Sequence, residues 1–218
     1  LSMPLALSIC APKRISQSLA RTYGFCFFSE RLILDADTAH PRLEVFDGGK
    51  SVKDTGTMRN VAMNSTRFDS HIFILATEGF IAGKHYWEVD VGKKNNWELG
   101  VASEAVTRKG SVILCPRNGF WVMALSDGIE YWAYTDPWTR LNVRSKPQKI
   151  GILLDISAGQ LTFYDVQSEM TLYTFIRRMW WIPRGDVLLT QEQREVPYHN
   201  VLGKGSVDLS ILLSPLLR

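Results

Sequence analysis

Four histidines, three cysteines and 22 carboxylates are the side chains of this 218-residue chain that could hold a metal ion or move a proton. None forms a working constellation. His40, His71, His85 and His199 contain no HExxH or other close pair that would bring two imidazoles to one ion. There is no GxSxG, and so no nucleophile elbow. Gly203-Lys204-Gly205-Ser206 has a phosphate-binding composition, but it lacks the P-loop spacing and a strand-to-helix setting, and it reads as a polar turn. Glu88 and Asp90 could supply the paired carboxylates of glycoside hydrolysis. They share the polar face of an alternating strand, however, and there they read as solvated surface. The chain is read as a non-enzyme that needs no metal and no cofactor.

The elements that would position any site are short strands. His85 to Val91 alternates, with Trp87, Val89 and Val91 on one face and Tyr86, Glu88 and Asp90 on the other. Trp97, Leu99 and Val101 repeat the alternation after the turn at 92–96. A period of two predicts a sheet with one buried face. Leu43 to Phe46 and Ser51 to Lys53 flank Asp47-Gly48-Gly49, a hairpin signal, and Asp127-Gly128 turns Phe120–Leu125 into 129–134. Ile72 to Leu75 is a further short apolar run, and Lys149–Leu154 and Gln160–Tyr164 form another hairpin. The run 120–125 is apolar on both faces, which places it between layers or under a ligand site. Residues 40–176 show no sustained helical period, and the fold class is all-β: a two-layer antiparallel β-sandwich.

Composition agrees with a folded domain, at 45% hydrophobic, 22% charged and 11% aromatic residues. A net charge of +3, evenly spread, gives no case for nucleic acid. Cys10, Cys26 and Cys115 are odd in number and make no CxxC, so they read as reduced, small apolar residues of a cytoplasmic protein. No apolar run reaches the ~18 residues of a membrane span, and no insertion into a membrane is expected. Residues 1–11 are apolar but lack a preceding basic segment, which argues against a secretory leader. Seven Trp, seven Tyr and ten Phe are the unusual feature.

Several of these segments resemble the PRY–SPRY (B30.2) domain of butyrophilins and tripartite-motif proteins. Leu34-Asp35-Ala36-Asp37-Thr38-Ala39-His40-Pro41 is similar to the LDPDTANP opening, and Arg67-Phe68-Asp69 to the stretch that closes PRY. Gly83-Lys84-His85-Tyr86-Trp87-Glu88-Val89-Asp90-Val91 follows the GxHYWEVxV motif, and Trp97-Glu98-Leu99-Gly100-Val101 follows WxLGV. Arg108-Lys109-Gly110, Asn118-Gly119-Phe120-Trp121 and Leu153-Leu154-Asp155 through Thr162-Phe163-Tyr164 complete the order. The resemblance divides the chain into an atypical flank at 1–30, a PRY segment at 31–70, an SPRY segment at 71–176 and an atypical tail at 177–218. The family's C-terminal strands cannot be found in that tail, so they are missing or replaced, with Val207 to Leu213 the candidate substitute.

The resemblance implies non-catalytic recognition of a protein partner in the cytosol, through loops and a pocket at one end of the sandwich. The setting would be the targeting domain of a ubiquitin ligase or the cytosolic part of a membrane receptor. It places Glu98 near the pocket centre, with His71, Ile113, Ala124, Ser126, Trp132, Tyr134, Trp138 and Arg140 as partner contacts. Small residues at 124 and 126 would deepen the pocket. Lys93, Lys94, Asn95 and Arg117, with Arg108 and Lys109, would form a polar rim. One subset of butyrophilins holds phosphorylated metabolites in a basic pocket. The matching positions here read Glu98, Ile113, Trp132 and Trp138, with His71 alone retained, so a phosphorylated small molecule is not expected. Two alternatives stand beside this reading: a carbohydrate-binding sandwich using Trp132 and Trp138 as stacking platforms, and a truncated, non-functional SPRY fragment.

Overall fold

The computed structural model describes residues 6–10, 28–29, 32–176 and 209–216. The Gly203–Ser206 segment, Trp180 and Trp181 lie outside them. One sheet contains β1 (Leu7–Cys10), β2 (Phe28–Ser29), β3 (Leu43–Phe46), β4 (Ser51–Asp54), β6 (Lys84–Asp90), β11 (Lys149–Asp155), β12 (Gln160–Asp165) and β13 (Met170–Phe175). Its order is β13-β12-β11-β6-β1-β4-β3, all antiparallel, with β2 added as a short parallel partner of β6. The second sheet contains β5 (Ile74–Phe80), β7 (Trp97–Ser103), β8 (Phe120–Ser126), β9 (Glu130–Ala133), β10 (Thr139–Leu141) and β14 (Leu209–Ser214), in the order β10-β9-β8-β7-β14-β5. A single 3-10 turn, Pro116–Asn118, is the helical element among the described residues.

The alternating residues fill the space between the sheets. Trp87 and Val89 of β6 and Ile150, Ile152 and Leu154 of β11 meet Trp97, Leu99 and Val101 of β7 and Trp121, Met123 and Leu125 of β8. Gly100 of β7 lies against β8 with no room for a side chain: a Cβ there would lie 2.0 Å from the Trp121 carbonyl oxygen. The Asp127-Gly128 turn is made as its sequence predicts, with φ of 52° and 76°, the left-handed pair that a two-residue hairpin requires.

The second sheet is covered on its outer face as well, which the alternation alone does not show. Phe120, Val122 and Ala124 of β8 and Leu212 of β14 pack under Phe68, Phe73, Val106 and Leu114, which arrive on the connections at 66–73 and 104–119. This second apolar layer is why β8 is apolar on both faces. On the first sheet Tyr86 packs with Leu153 and Tyr164. Glu88 is therefore buried rather than solvated: it accepts the Tyr86 hydroxyl at 3.3 Å and faces the Lys149 ammonium at 3.8 Å. Asp90 accepts the Gly92 N–H that turns the chain away. Thr139 and Arg140 pair with Ala133 and Trp132 as part of β10.

The atypical flanks contribute strands. β1 lies between β4 and β6, and β14 lies between β5 and β7 with Leu209, Ile211, Leu212 and Leu213 all buried. The candidate substitute strand in the tail thus occupies an interior position of the second sheet. If β14 is integral to the domain, Ile211→Ala in the full chain should lower the unfolding free energy by about 2–5 kcal/mol in urea melts, the cost of a large-to-small change in a packed core. A change below about 1 kcal/mol would show the strand to be dispensable.

Candidate functional site

Strand register brings four of the expected contact residues into one row. Glu98 of β7 lies opposite Ala124 of β8, Ala124 opposite Trp132 of β9, and Trp132 opposite Arg140 of β10. All four project from the outer face, because Trp97, Leu99, Met123, Leu125 and Ala133 on the alternate positions point into the core. Tyr134 extends this row: its hydroxyl crosses β8 and donates to Glu98 Oε1 at 2.7 Å. Tyr134 and Ala124 belong to the same apolar cluster on that face. Both are buried beneath their neighbours.

Trp138 is the outermost layer. Its ring stacks on Tyr134 with centroids 4.0 Å apart and planes 14° from parallel, and its indole N–H donates to the Leu114 carbonyl at 3.1 Å. One face and the polar edge are thereby fixed, yet 48% of the residue is exposed. A large ring held rigid at the surface can be buried again at little entropic cost, which is the property of a binding hot spot. Trp132 is half-buried against the layer beneath. Ile113, beside Leu114, is 72% exposed. Asn118 Nδ2 donates to the Ile113 carbonyl, and an exposed Arg117–Asp136 ion pair at 2.9 Å joins the two loops that meet under Trp138.

His71 borders the same loop. Its ring stacks on Phe73 at 5.4 Å, and its Nε2 accepts the Val112 N–H at 3.0 Å, next to Ile113. Burial lowers its pKa below the ordinary imidazole value, and burial does the same to His40, which is held between the Asp69 carbonyl and the Arg42 N–H. Arg140 is exposed and paired with Glu130 at 2.9 Å, and Ser126 lies opposite Glu130, two residues along β8 from Ala124. The Leu114 carbonyl is a functional group that sequence reading missed, since a backbone acceptor leaves no signal in side-chain types.

The expected rim is divided. Arg117 lies with Ile113 and Trp138, on the connection that leaves β7 and enters β8. Lys93 and Asn95 lie before β7, at the other end of its seven residues, or about 20 Å away at the rise of an extended strand. Asn95 is tied there to Gly128 and to Lys146 at 2.7 Å. Lys94 is not on the rim at all. It is 3% exposed, and burial brings its ammonium down to about 8 against the upward pull of nearby Asp54. Arg108 is held by Glu104 and by the Thr66 carbonyl, and Lys109 by the Asn64 and Arg67 carbonyls. No group of three or more His, Cys, Asp or Glu side chains could hold a metal ion among the described residues.

The chain matches the SPRY domain over residues 84–177 and the SPRY-associated domain (PRY) over residues 32–80. It is 42% identical to human zinc finger protein RFP over 148 residues, covering 68% of this chain and 29% of that protein. It is 44% identical over 142 residues to mouse erythroid membrane-associated protein, covering 65% and 25%. Human pyrin is 40% identical over 144 residues, covering 66% and 18%. The chain therefore spans less than a third of the length of these curated relatives. Among solved structures, the crystal structure of the TRIM65 PSpry domain superposes with a TM-score of 0.67 at 21% identity, covering 94% of this chain and 93% of that one. At that identity the likeness is one of fold.

Both His71 and His40 bind protons less readily folded than unfolded, so their contribution to stability is complete above the free imidazole pKa of about 6.5 and is lost as pH falls through it. The urea midpoint should fall between about pH 7 and pH 5. His71→Gln, which removes one of the two groups, should flatten that slope. An unchanged slope would show that His71 does not report on the packing of this loop.

Proposed function

This chain belongs to the PRY–SPRY (B30.2) family, and we propose that it recognises one protein partner through the Trp138–Trp132–Ile113 surface of its second sheet. PRY–SPRY domains are non-catalytic interaction modules, and a protein partner is what this one serves. The observation that carries the surface is the fixed, half-exposed Trp138 on its Tyr134 support. Trp132 and Ile113 add apolar area on either side, and the Glu130–Arg140 pair and Arg117 supply a polar border. His71 sets the loop that carries Ile113.

Glu98 selects the chemistry at the centre. Its carboxylate carries negative charge into the row and orients the Tyr134 hydroxyl. A phosphorylated ligand would meet that charge, and the described residues beside it in the row include one basic side chain, Arg140, which disfavours phosphate and favours Lys, Arg or backbone N–H donors. No helix among the described residues is long and apolar enough to cross a membrane. The relatives include zinc finger protein RFP and an erythroid membrane-associated protein. The reading extends to a cytosolic setting, as the targeting domain of a ubiquitin ligase or the cytosolic portion of a receptor.

Trp138→Ala should weaken binding of the cognate protein at least about tenfold, and Trp132→Ala comparably, as expected for aromatic hot spots. Both variants should keep a cooperative thermal transition, because neither ring belongs to the inter-sheet core. Isothermal titration with the partner checks this. Unchanged affinity in both folded variants would exclude this surface, and tight glycan binding without any protein ligand would favour the carbohydrate alternative.

A further inference from the structure

We propose a second recognition site at the seam between β5 and β14, a cleft of about 280 Å³ that accepts an arginine side chain of a partner peptide. The seam opens because the two strands lose register. Ser210 pairs with Gly79 and Leu212 with Leu75, so two steps along β14 face four along β5. Ala76-Thr77-Glu78 thus stand opposite Ile211 alone, two residues in excess, and meet the chain before β3: Ala76 bridges Leu34, and the Thr77 N–H donates to the Ile33 carbonyl. Bulges of this kind re-aim side chains and part a sheet locally.

The walls of the cleft are rich in oxygen and poor in available hydrogen. Each hydroxyl on the lining spends its proton within the protein. Thr38 donates to the Asp35 carbonyl at 2.8 Å, Thr66 to Asn64 Oδ1 at 3.0 Å, Thr77 to the Ile33 carbonyl at 3.2 Å and Ser210 to Glu104 Oε2 at 3.3 Å. Arg108 is committed too, to Glu104 Oε1 at 2.5 Å and to the Thr66 carbonyl at 3.1 Å, with its guanidinium over the Phe68 ring. The lining carries two carboxylates, Asp35 and Glu104, against the one guanidinium of Arg108; Asp35 Oδ1 accepts the Asp37 N–H and Thr38 Oγ1 the Leu75 N–H.

A lining with two carboxylates against one guanidinium carries a net negative charge, which disfavours anions. It matches a group with donors, no acceptor and a positive charge. Guanidinium has five N–H donors in a planar fork that suits a carboxylate edge, and it is less strongly hydrated than ammonium. The cleft lies at β5 and β14, on the other side of β7 from the Trp132 and Trp138 surface, so the two sites stand or fall separately.

The full chain, labelled with nitrogen-15, should be titrated with acetyl-Gly-Arg-Gly-amide and with the same peptide carrying citrulline or lysine. Arginine should give saturable amide shifts at Thr77, Gly79, Glu104 and Ser210. Citrulline, equal in shape but uncharged, should bind at least about tenfold more weakly, and Asp35→Asn should weaken the arginine peptide to a similar degree. Thr77→Lys changes an exposed residue and places an ammonium across the opening; it should abolish the shifts while the melting temperature holds. The proposal is overturned by an absence of saturable shifts up to about 10 mM peptide, by equal binding of citrulline or lysine, or by full binding in a folded Thr77→Lys variant.

Discussion

Continuity of backbone pairing across the second sheet is the constraint on which the rest depends. β14 is hydrogen-bonded to β7 along Leu209–Ser214 and to β5 at both ends, so it joins the strand that carries Glu98 to the strand that leads out of PRY. Without it, two strands would present unpaired edges in the middle of a sheet, and the inter-sheet core would lose Ile211 and Leu213. An unfilled sheet interior is costly because backbone N–H and C=O groups need partners and apolar surface needs cover. The tail fills that place with Leu-Ser-Ile-Leu-Leu-Ser, a segment buried on both faces.

The same sheet sets the character of the site. Its inner face belongs to the tryptophan-rich core, and much of its outer face is closed by Phe68, Phe73, Val106 and Leu114 from two connections. What stays open is the margin where that cover ends, along β8, β9 and β10. There the chain stacks Trp138 on Tyr134 and ties both down, one to Leu114 and the other to Glu98. A flexible aromatic loop would lose much of its binding energy in becoming ordered; here the ordering is supplied by the fold.

The sandwich was legible from period-two alternation, because Trp87, Val89, Trp97, Leu99 and Val101 face one core and the Asp127-Gly128 turn carries its conformational requirement in its residue types. The outward face of Glu98 and Ala124 was legible for the same reason, since parity fixes the face, and the tight Asp127-Gly128 turn sets β8 against β9. The long connection into β8 and the loop into β10 carry no such register signal, so the full row was not legible. Neither was burial by distant segments. Glu88, Tyr134 and Lys94 carry polar atoms and look like surface, yet each is covered by residues that pair with it only after folding. β14 poses the same difficulty at longer range, since Ser210 meets Glu104 across 106 positions of sequence. An apolar hexapeptide without alternation reveals that it is buried but not beside what.

The central claim is that a protein partner sits on the Ile113–Trp138 margin and not at the opposite end of the same strands. Site-specific photo-crosslinking tests it most directly, with a photoreactive residue at Ile113 in one chain and at Ile129, equally open but in the turn beyond Ser126, in another. The structure predicts a discrete crosslinked protein from position 113 that disappears when Trp138→Ala is added, with none from position 129. Capture that is equal at the two positions, or unaffected by Trp138→Ala, would contradict it.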